Sequence, residues 1–253
     1  MQQKNKLPKK IGVVGWSTGE SSFGVTKPYL QYLSTFGQVE ILTPSKYIRE
    51  DIDLVVLPGG QDVSSSIYGE VPGFMNSNPD LYKEYFFLNN LESYIEAGKS
   101  IFGICLGMQQ LAVYFGSNLT QHLQSLGIHG YYSDPREELV HSVHVHIPAT
   151  DNSEDVKFTQ KVNSLHHQGV LLKDLSKPLI PIAIQKAKNV ETGMSVVEAL
   201  MHKDLPIAGV QWHPEHIYDK LTNLLITKLL ENEYINSENR QGQSVANTGC
   251  IVG

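Results

Sequence analysis

Short, unbroken apolar runs cut off by glycine constrain the fold of this chain more than any other feature. Ile11-Gly12-Val13-Val14-Gly15, Leu54-Val55-Val56-Leu57 and Ile101-Phe102-Gly103-Ile104 carry no polar side chain. A strand without a wet face must be covered on both sides, as in a parallel sheet held between helices. Val39–Leu42 adds a further strand. Patterns of helical period lie between these runs. Thr26 and Pro28 open one, with Tyr29, Leu30, Leu33 and Phe36 on its apolar face and Gly37 as its stop. Leu81, Tyr85, Leu88, Leu91 and Ile95 predict one long amphipathic helix from Asp80 to Ala97, ended by Gly98. Met108, Leu111, Ala112 and Phe115 mark another, and Leu221, Leu224, Leu225 and Leu229 a last one over about Asp219–Leu230. Residues 61–79, rich in Gly, Pro, Ser and Asn, read as an irregular loop. The expectation is an α/β fold with a central, mostly parallel sheet and helices on both faces.

The second half differs in texture. Ser142–Ile147, Ile182–Gln185 and Ser195–Ala199 alternate polar with apolar residues, as strands with one wetter face do. Ile207–Gln211 is apolar again and runs into Trp212-His213-Pro214-Glu215. Residues 11–230 read as one domain, between a polar tail at 1–10 and an unpatterned tail at 231–253 expected to be disordered.

Whole-chain numbers exclude some functions. A formal charge of −6 argues against nucleic-acid binding, which needs a basic face. The two cysteines, Cys105 and Cys250, make no disulfide framework and suit a reducing compartment. No apolar run approaches the ~18–20 residues of a membrane span, and the polar start is no secretory signal. A cytoplasmic protein is expected.

In parallel sheets sites lie beyond the carboxyl ends of the strands. Gly59-Gly60, Cys105 and His213 each fall just after such an end. Gly103-Ile104-Cys105-Leu106-Gly107 sets a cysteine between two glycines at a strand-to-helix turn, the thiol form of a nucleophile elbow. Side chains at either glycine would crowd so tight a turn, and the helix N-terminus beyond it favours a thiolate. The plainer alternative is a buried cysteine acting as a small hydrophobe. His213 and Glu215, two residues apart, would face the same way in extended chain, so the carboxylate can orient the imidazole.

Gly103-Ile104-Cys105-Leu106-Gly107-Met108-Gln109 together with Gly209-Val210-Gln211-Trp212-His213-Pro214-Glu215 resembles the signature pair of class I glutamine amidotransferases. The resemblance implies a flavodoxin-like fold, Cys105 as nucleophile, His213 as base and Glu215 as its orienter. It implies an oxyanion hole from the backbone N–H groups of Gly60 and Leu106, with no metal and no cofactor. Pro58-Gly59-Gly60-Gln61-Asp62-Val63, Val162-Asn163-Ser164-Leu165-His166-His167-Gln168 and Val197-Glu198-Ala199 resemble the γ-glutamyl-γ-aminobutyrate hydrolase (peptidase C26-like) branch. On that resemblance Gly59, Gln109, Asn163, Ser164, His166 and His167 contact substrate. One departure stands out: Lys83-Glu84 takes the place of an Arg-Asp pair typical of that branch, and Phe87 that of a later Glu.

The implied reaction is cysteine-dependent hydrolysis of a γ-glutamyl amide or glutamine. The alternatives are a glutaminase subunit feeding ammonia to a separate synthetase, and an inactive regulator on the same fold. A second copy of the chain or a synthetase are the protein partners the resemblance admits. His141, His144 and His146 form no metal set, because no carboxylate or cysteine joins them at ligand spacing. Trp212 and the aromatic residues of the 80–97 helix read as core. The C-terminal Cys250-Ile251-Val252-Gly253 is set aside as a prenylation box, lacking a polybasic run.

Overall fold

The apolar runs become neighbours in one sheet. The computed structural model describes residues 8–19, 22–127, 129, 132–149, 154–186 and 194–232. Cys250 and nearly all of both expected tails therefore lie outside the described residues. Along the chain come β1 (Lys10–Val14), β2 (Trp16–Gly19), β3 (Ser22–Gly24), α1 (Lys27–Leu33), β4 (Gln38–Leu42) and β5 (Leu54–Leu57). They are followed by α2 (Leu81–Asn89), α3 (Leu91–Glu96), β6 (Ser100–Ile104) and α4 (Leu106–Tyr114). The second half holds β7 (His141–Ile147), β8 (Val156–Val162), β9 (Val170–Leu171), β10 (Leu179–Gln185), β11 (Val196–His202) and β12 (Ile207–Val210). Two helices, α5 (Pro214–Ile217) and α6 (Lys220–Glu231), close the order.

The main sheet runs β4-β1-β5-β6-β12-β11-β10-β7-β8, with β9 beside β11. From β4 to β12 all pairs are parallel. From β12 outwards all are antiparallel. Strand parity divides the core as expected of a sheet covered on both faces. Leu54, Val56, Phe102 and Ile104 pack with Tyr32, Leu33, Leu221 and Leu225 of α1 and α6. Val55, Leu57 and Ile101 pack with Phe86, Leu91, Met108 and Leu111 of α2, α3 and α4. The antiparallel part has the wetter face: along β7 and β8 buried or half-buried residues alternate with exposed ones.

Five local features depart from expectation. The long helix over 80–97 is two helices, turned to a different face. Asn90, buried, leaves helical geometry at φ −119° and donates from its side chain to the Ser45 carbonyl. The buried stripe is Lys83, Phe86, Phe87, Leu91 and Tyr94, while Leu81, Tyr85 and Leu88 are 76%, 55% and 55% exposed. Two apolar stripes compete along this segment, and the winner puts two phenylalanines and a tyrosine into the core. The β2–β3 hairpin was not expected at all, because its residues carry little alternation. Nor was β8, whose inward residues are separated by Lys157, Thr159 and Lys161. His213 and Glu215 do not lie in extended chain: α5 begins at Pro214. Thr26 sits at the N-cap of α1, but its side chain makes no capping bond. Among the described residues no helix is long and apolar enough to cross a membrane.

Candidate active site

The turn from β6 to α4 is strained in the way a nucleophile elbow requires. Cys105 has φ 50° and ψ −102°, a left-handed region that a side chain enters only when its surroundings enforce it. Its N–H donates to the Val210 carbonyl (2.8 Å), which pins the elbow to the neighbouring β12. A Cβ on Gly103 would lie 2.5 Å from the Gly107 carbonyl carbon, and one on Gly107 2.1 Å from the Leu57 carbonyl oxygen. The turn therefore closes only with glycine at both places.

His213 follows β12, the strand paired with β6, and Cys105 is among the groups whose charge acts on its imidazole. Its Nδ1 lies 2.8 Å from Glu215 Oε1. The contact spans the first turn of α5, with His213 at the N-cap, so the pair forms by a turn rather than by strand alternation. Asn163 holds the histidine backbone: its Oδ1 accepts from His213 N–H (2.9 Å) and its Nδ2 donates to the His213 carbonyl (3.1 Å). Burial opposes a charged imidazole here, but the neighbouring Cys105 and the Glu215 carboxylate outweigh it and hold His213 well above the ordinary imidazole range. Burial pushes the Glu215 carboxyl up and His213 pulls it down, with a net lowering.

The Gly59-Gly60 loop after β5 packs against the same atoms. A Cβ on Gly59 would sit 2.6 Å from His213 Cε1, and one on Gly60 2.9 Å from Leu106 Cδ2. Gly59 N–H donates to the Tyr29 hydroxyl (2.9 Å), and the Gly59 carbonyl accepts from Lys83 Nζ (2.7 Å). Tyr29 is buried; desolvation, then the nearby Glu215 and Cys105 charges, raise its hydroxyl well above the usual value. A cavity of about 690 Å³ opens here, with Trp16, Gly60, Lys83, Arg136, His213 and Glu215 in its wall.

The structure thus brings Cys105, His213, Glu215, Gly59, Gly60 and Leu106 together. The other residues assigned to substrate have side chains occupied elsewhere. Gln109 Nε2 donates to the Gln168 carbonyl (3.0 Å) and Gln211 Oε1 (3.2 Å). Ser164 Oγ pairs with His129 Nε2 at 2.9 Å. His167 bonds Asp62 at 3.0 Å, which raises its imidazole against the effect of burial. His166 is turned away from the cavity towards Glu198, and burial holds it low, near 3. Of that segment it is Leu165 that lines the cavity. Trp16, Tyr29, Arg136 and His216 were missed by sequence reasoning; Lys83 was noticed only as a departure from a familiar pair. Their common signal is position, close after a strand end or on a helix facing one. His141 is buried, and Glu198 of β11 supplies the carboxylate that the sequence did not place beside it (3.3 Å). Only His144 and His146 lie on the exposed face of β7.

Comparisons with known proteins show the family. The profile of the peptidase C26 family matches residues 20–215. The glutamine amidotransferase-like protein YvdE of Lactococcus lactis is 34% identical over 165 residues, 65% of this chain and 66% of that protein. The chain therefore spans about two thirds of that relative's length. The gamma-glutamyl-CDP-amidate hydrolase of Campylobacter jejuni is 24% identical over 72% of this chain and 71% of its own. Among solved structures, one described as a GMP synthase subunit, from Thermoplasma acidophilum, superposes with a TM-score of 0.56 at 19% identity, covering 89% of this chain and 94% of its own. With the family profile spanning most of the sheet and both signature segments, this chain belongs to the peptidase C26 family of the class I glutamine amidotransferase superfamily, a group of amide-cleaving hydrolases and amidotransferases.

Proposed function

We propose that the chain hydrolyses a γ-glutamyl amide bond through a glutamyl thioester on Cys105. The observation that carries the reading is the strained Cys105 at the end of β6, beside β12 and the His213 that follows it, with His213 Nδ1 held by Glu215 at 2.8 Å. The Cys105 sulfur attacks the side-chain carbonyl carbon, and the electron pair of the C=O bond moves onto oxygen. Backbone N–H groups of Gly60 and Leu106 stabilise that oxyanion, each donor contributing about 3–4 kcal/mol. The C–N bond then breaks as protonated His213 gives its proton to the departing amine. A water loses a proton to His213 and attacks the thioester, and glutamate leaves with the thiolate restored. Glu215 keeps one imidazole tautomer and stabilises the imidazolium between the steps. Lys83, in the cavity wall, supplies a positive charge suited to the substrate carboxylate.

The test is intact-mass spectrometry of the full chain with glutamine and a panel of γ-glutamyl amines. A transient glutamyl adduct on Cys105, absent in Cys105→Ala, together with release of one amine, is the expected result. Turnover surviving in Cys105→Ala would overturn it.

A second reading, a glutaminase subunit for a separate synthetase, is favoured by one observation. The outer face of α2 exposes Leu81, Tyr82 and Tyr85, which with Phe23 line an apolar groove beside the helix that carries Lys83 to the cavity. A subunit of that kind would hydrolyse only glutamine, and slowly until a partner covered this face. Rapid turnover of a γ-glutamyl amine by the isolated chain excludes it.

A further inference from the structure

Behind the cavity, a second set of chemistry-bearing side chains meets in the interior. His141 opens β7, His166 lies between β8 and β9, Glu198 is in the middle of β11, and His129 precedes β7. All four are buried, Glu198 completely. Ligand atoms of His129, His166 and Glu198 lie within 4.8 Å of one another. One oxygen, Glu198 Oε1, is 3.3 Å from His141 Nε2 and 4.0 Å from both His129 Nδ1 and His166 Nε2.

The tautomer of His166 turns this cluster into a site. His166 Nδ1 lies 2.9 Å from the Gln168 carbonyl oxygen. A carbonyl only accepts, so Nδ1 carries the hydrogen and Nε2 presents a lone pair. Among the described residues, neither that Nε2 nor Glu198 Oε2 makes a hydrogen bond. Two acceptors, His166 Nε2 and Glu198 Oε1, thus face each other across 4.0 Å of interior, an arrangement that is repulsive unless a cation lies between them. Metal-bound histidines characteristically give their second N–H to a carbonyl or other acceptor, as His166 does here. At His129 the equivalent acceptor is Ser164 Oγ, 2.9 Å from Nε2.

We propose that His129, His166 and Glu198, with His141 as fourth ligand, form a closed binding site for a divalent cation, with Zn²⁺ the best match to three imidazoles and one carboxylate. Zinc–nitrogen bonds of about 2.0–2.1 Å in a tetrahedron put ligand atoms roughly 3.4 Å apart. The 3.3–4.0 Å separations from Glu198 Oε1 are near that value, and the ligand atoms of His129, His166 and Glu198, within 4.8 Å of one another, close by side-chain rotation on binding, with His141 swinging in as the fourth ligand. His129 Nδ1 now lies 2.7 Å from Gln185 Oε1 and exchanges that bond for the metal. All four side chains are buried, which suits a structural role. The site ties β7, β11 and the 163–168 segment together, next to Asn163 and to the Glu198 carbonyl that accepts from Gln211 N–H (2.8 Å).

The test uses untagged full-length chain purified without chelators. Elemental analysis should give about one zinc per chain, and after chelator treatment Co²⁺ should restore a stoichiometric visible absorption band. Added Zn²⁺ should raise the thermal midpoint of the stripped protein. Glu198→Gln, nearly isosteric, should lose zinc affinity by about 10–100-fold or more, whereas a His144→Ala/His146→Ala double variant on the exposed face of β7 should keep it. Folded wild-type protein with less than about a tenth of an equivalent of zinc and no Co²⁺ band would overturn the proposal, leaving a proton as the shared cation. Retention of zinc in Glu198→Gln, or its loss in the double variant, would overturn it as well. Should Glu198→Gln not fold, the wild-type metal content and Co²⁺ spectrum decide alone. None of these readouts depends on catalytic turnover.

Discussion

Lys83 carries its ammonium group into the cavity wall, where Nζ donates to the Gly59 carbonyl and lies 4.0 Å from the centre of the Trp16 ring. Burial pushes it down to about 8, with Asp80 and Cys105 opposing too weakly to cancel the effect. The unfolded chain keeps the ordinary value of about 10.4. Between these values the unfolded state binds more protons, so stability rises with pH from about 8 to about 10. Lys83→Met removes the titration: urea midpoints should be higher than wild type at pH 7 and lose the rise across that window. The same variant should raise KM for a γ-glutamyl substrate about 10-fold and leave kcat within about 3-fold. Glu215→Gln bears on chemistry instead. It keeps an acceptor near His213 Nδ1 but no charge to stabilise the imidazolium, so kcat should fall about 10²–10⁴-fold with little change in thermal midpoint. The grouping of Cys105, His213 and Glu215 was legible because these residues sit in contiguous motifs with glycines that only a tight turn explains. Lys83, Tyr29 and Trp16 were not, because each reaches the cavity through a choice of helix face or hairpin that local sequence leaves open.

Individual elements were legible in proportion to how dry they are. β5 and β6 are continuous apolar runs and emerge within a residue of their expected bounds. β8 is a half-wet strand whose lysines and threonine conceal its alternation, and α2 offers two apolar faces between which only packing decides. The start of α6 is the opposite case, a boundary fixed by one side chain. Asp219 Oδ1 accepts from Thr222 N–H (3.0 Å) and Gln160 Nε2 (2.8 Å), and Oδ2 accepts from Trp212 Nε1 (2.8 Å). One carboxylate therefore caps α6, ties it to β8 and satisfies the indole beside His213. Asp219→Ala should lose the cap, worth about 0.5–2 kcal/mol, and orphan the Trp212 N–H, worth about 1–3 kcal/mol. Chemical denaturation should register a loss of about 2–4 kcal/mol, larger than a cap alone can account for.

At the scale of the whole molecule, the site is a seam between two kinds of sheet. Cys105 and the Gly59-Gly60 loop come from the parallel strands, which fix the sulfur against a rigid elbow. His213 follows β12, the strand where pairing changes from parallel to antiparallel, and its backbone is held from the antiparallel side by Asn163, just after β8. The distance between the Cys105 sulfur and the His213 imidazole therefore depends on how the two parts of the sheet sit together. Asn163 also donates to the Arg136 carbonyl (2.8 Å), extending the tie to a cavity-lining segment. Asn163→Ala leaves the buried His213 N–H without an acceptor, at a cost of about 1–3 kcal/mol. It also frees the imidazole to drift from the sulfur, and a displacement of about 1 Å can reduce rate 10²-fold. The expected outcome is a kcat lower by about 10–100-fold, with KM within about 3-fold because the residue does not line the cavity. Asn163→Asp keeps the acceptor for His213 N–H but loses both donations, and should fall between the two. Steady-state kinetics on the three proteins decide the matter: wild-type kcat in Asn163→Ala would mean that the parallel strands alone position His213.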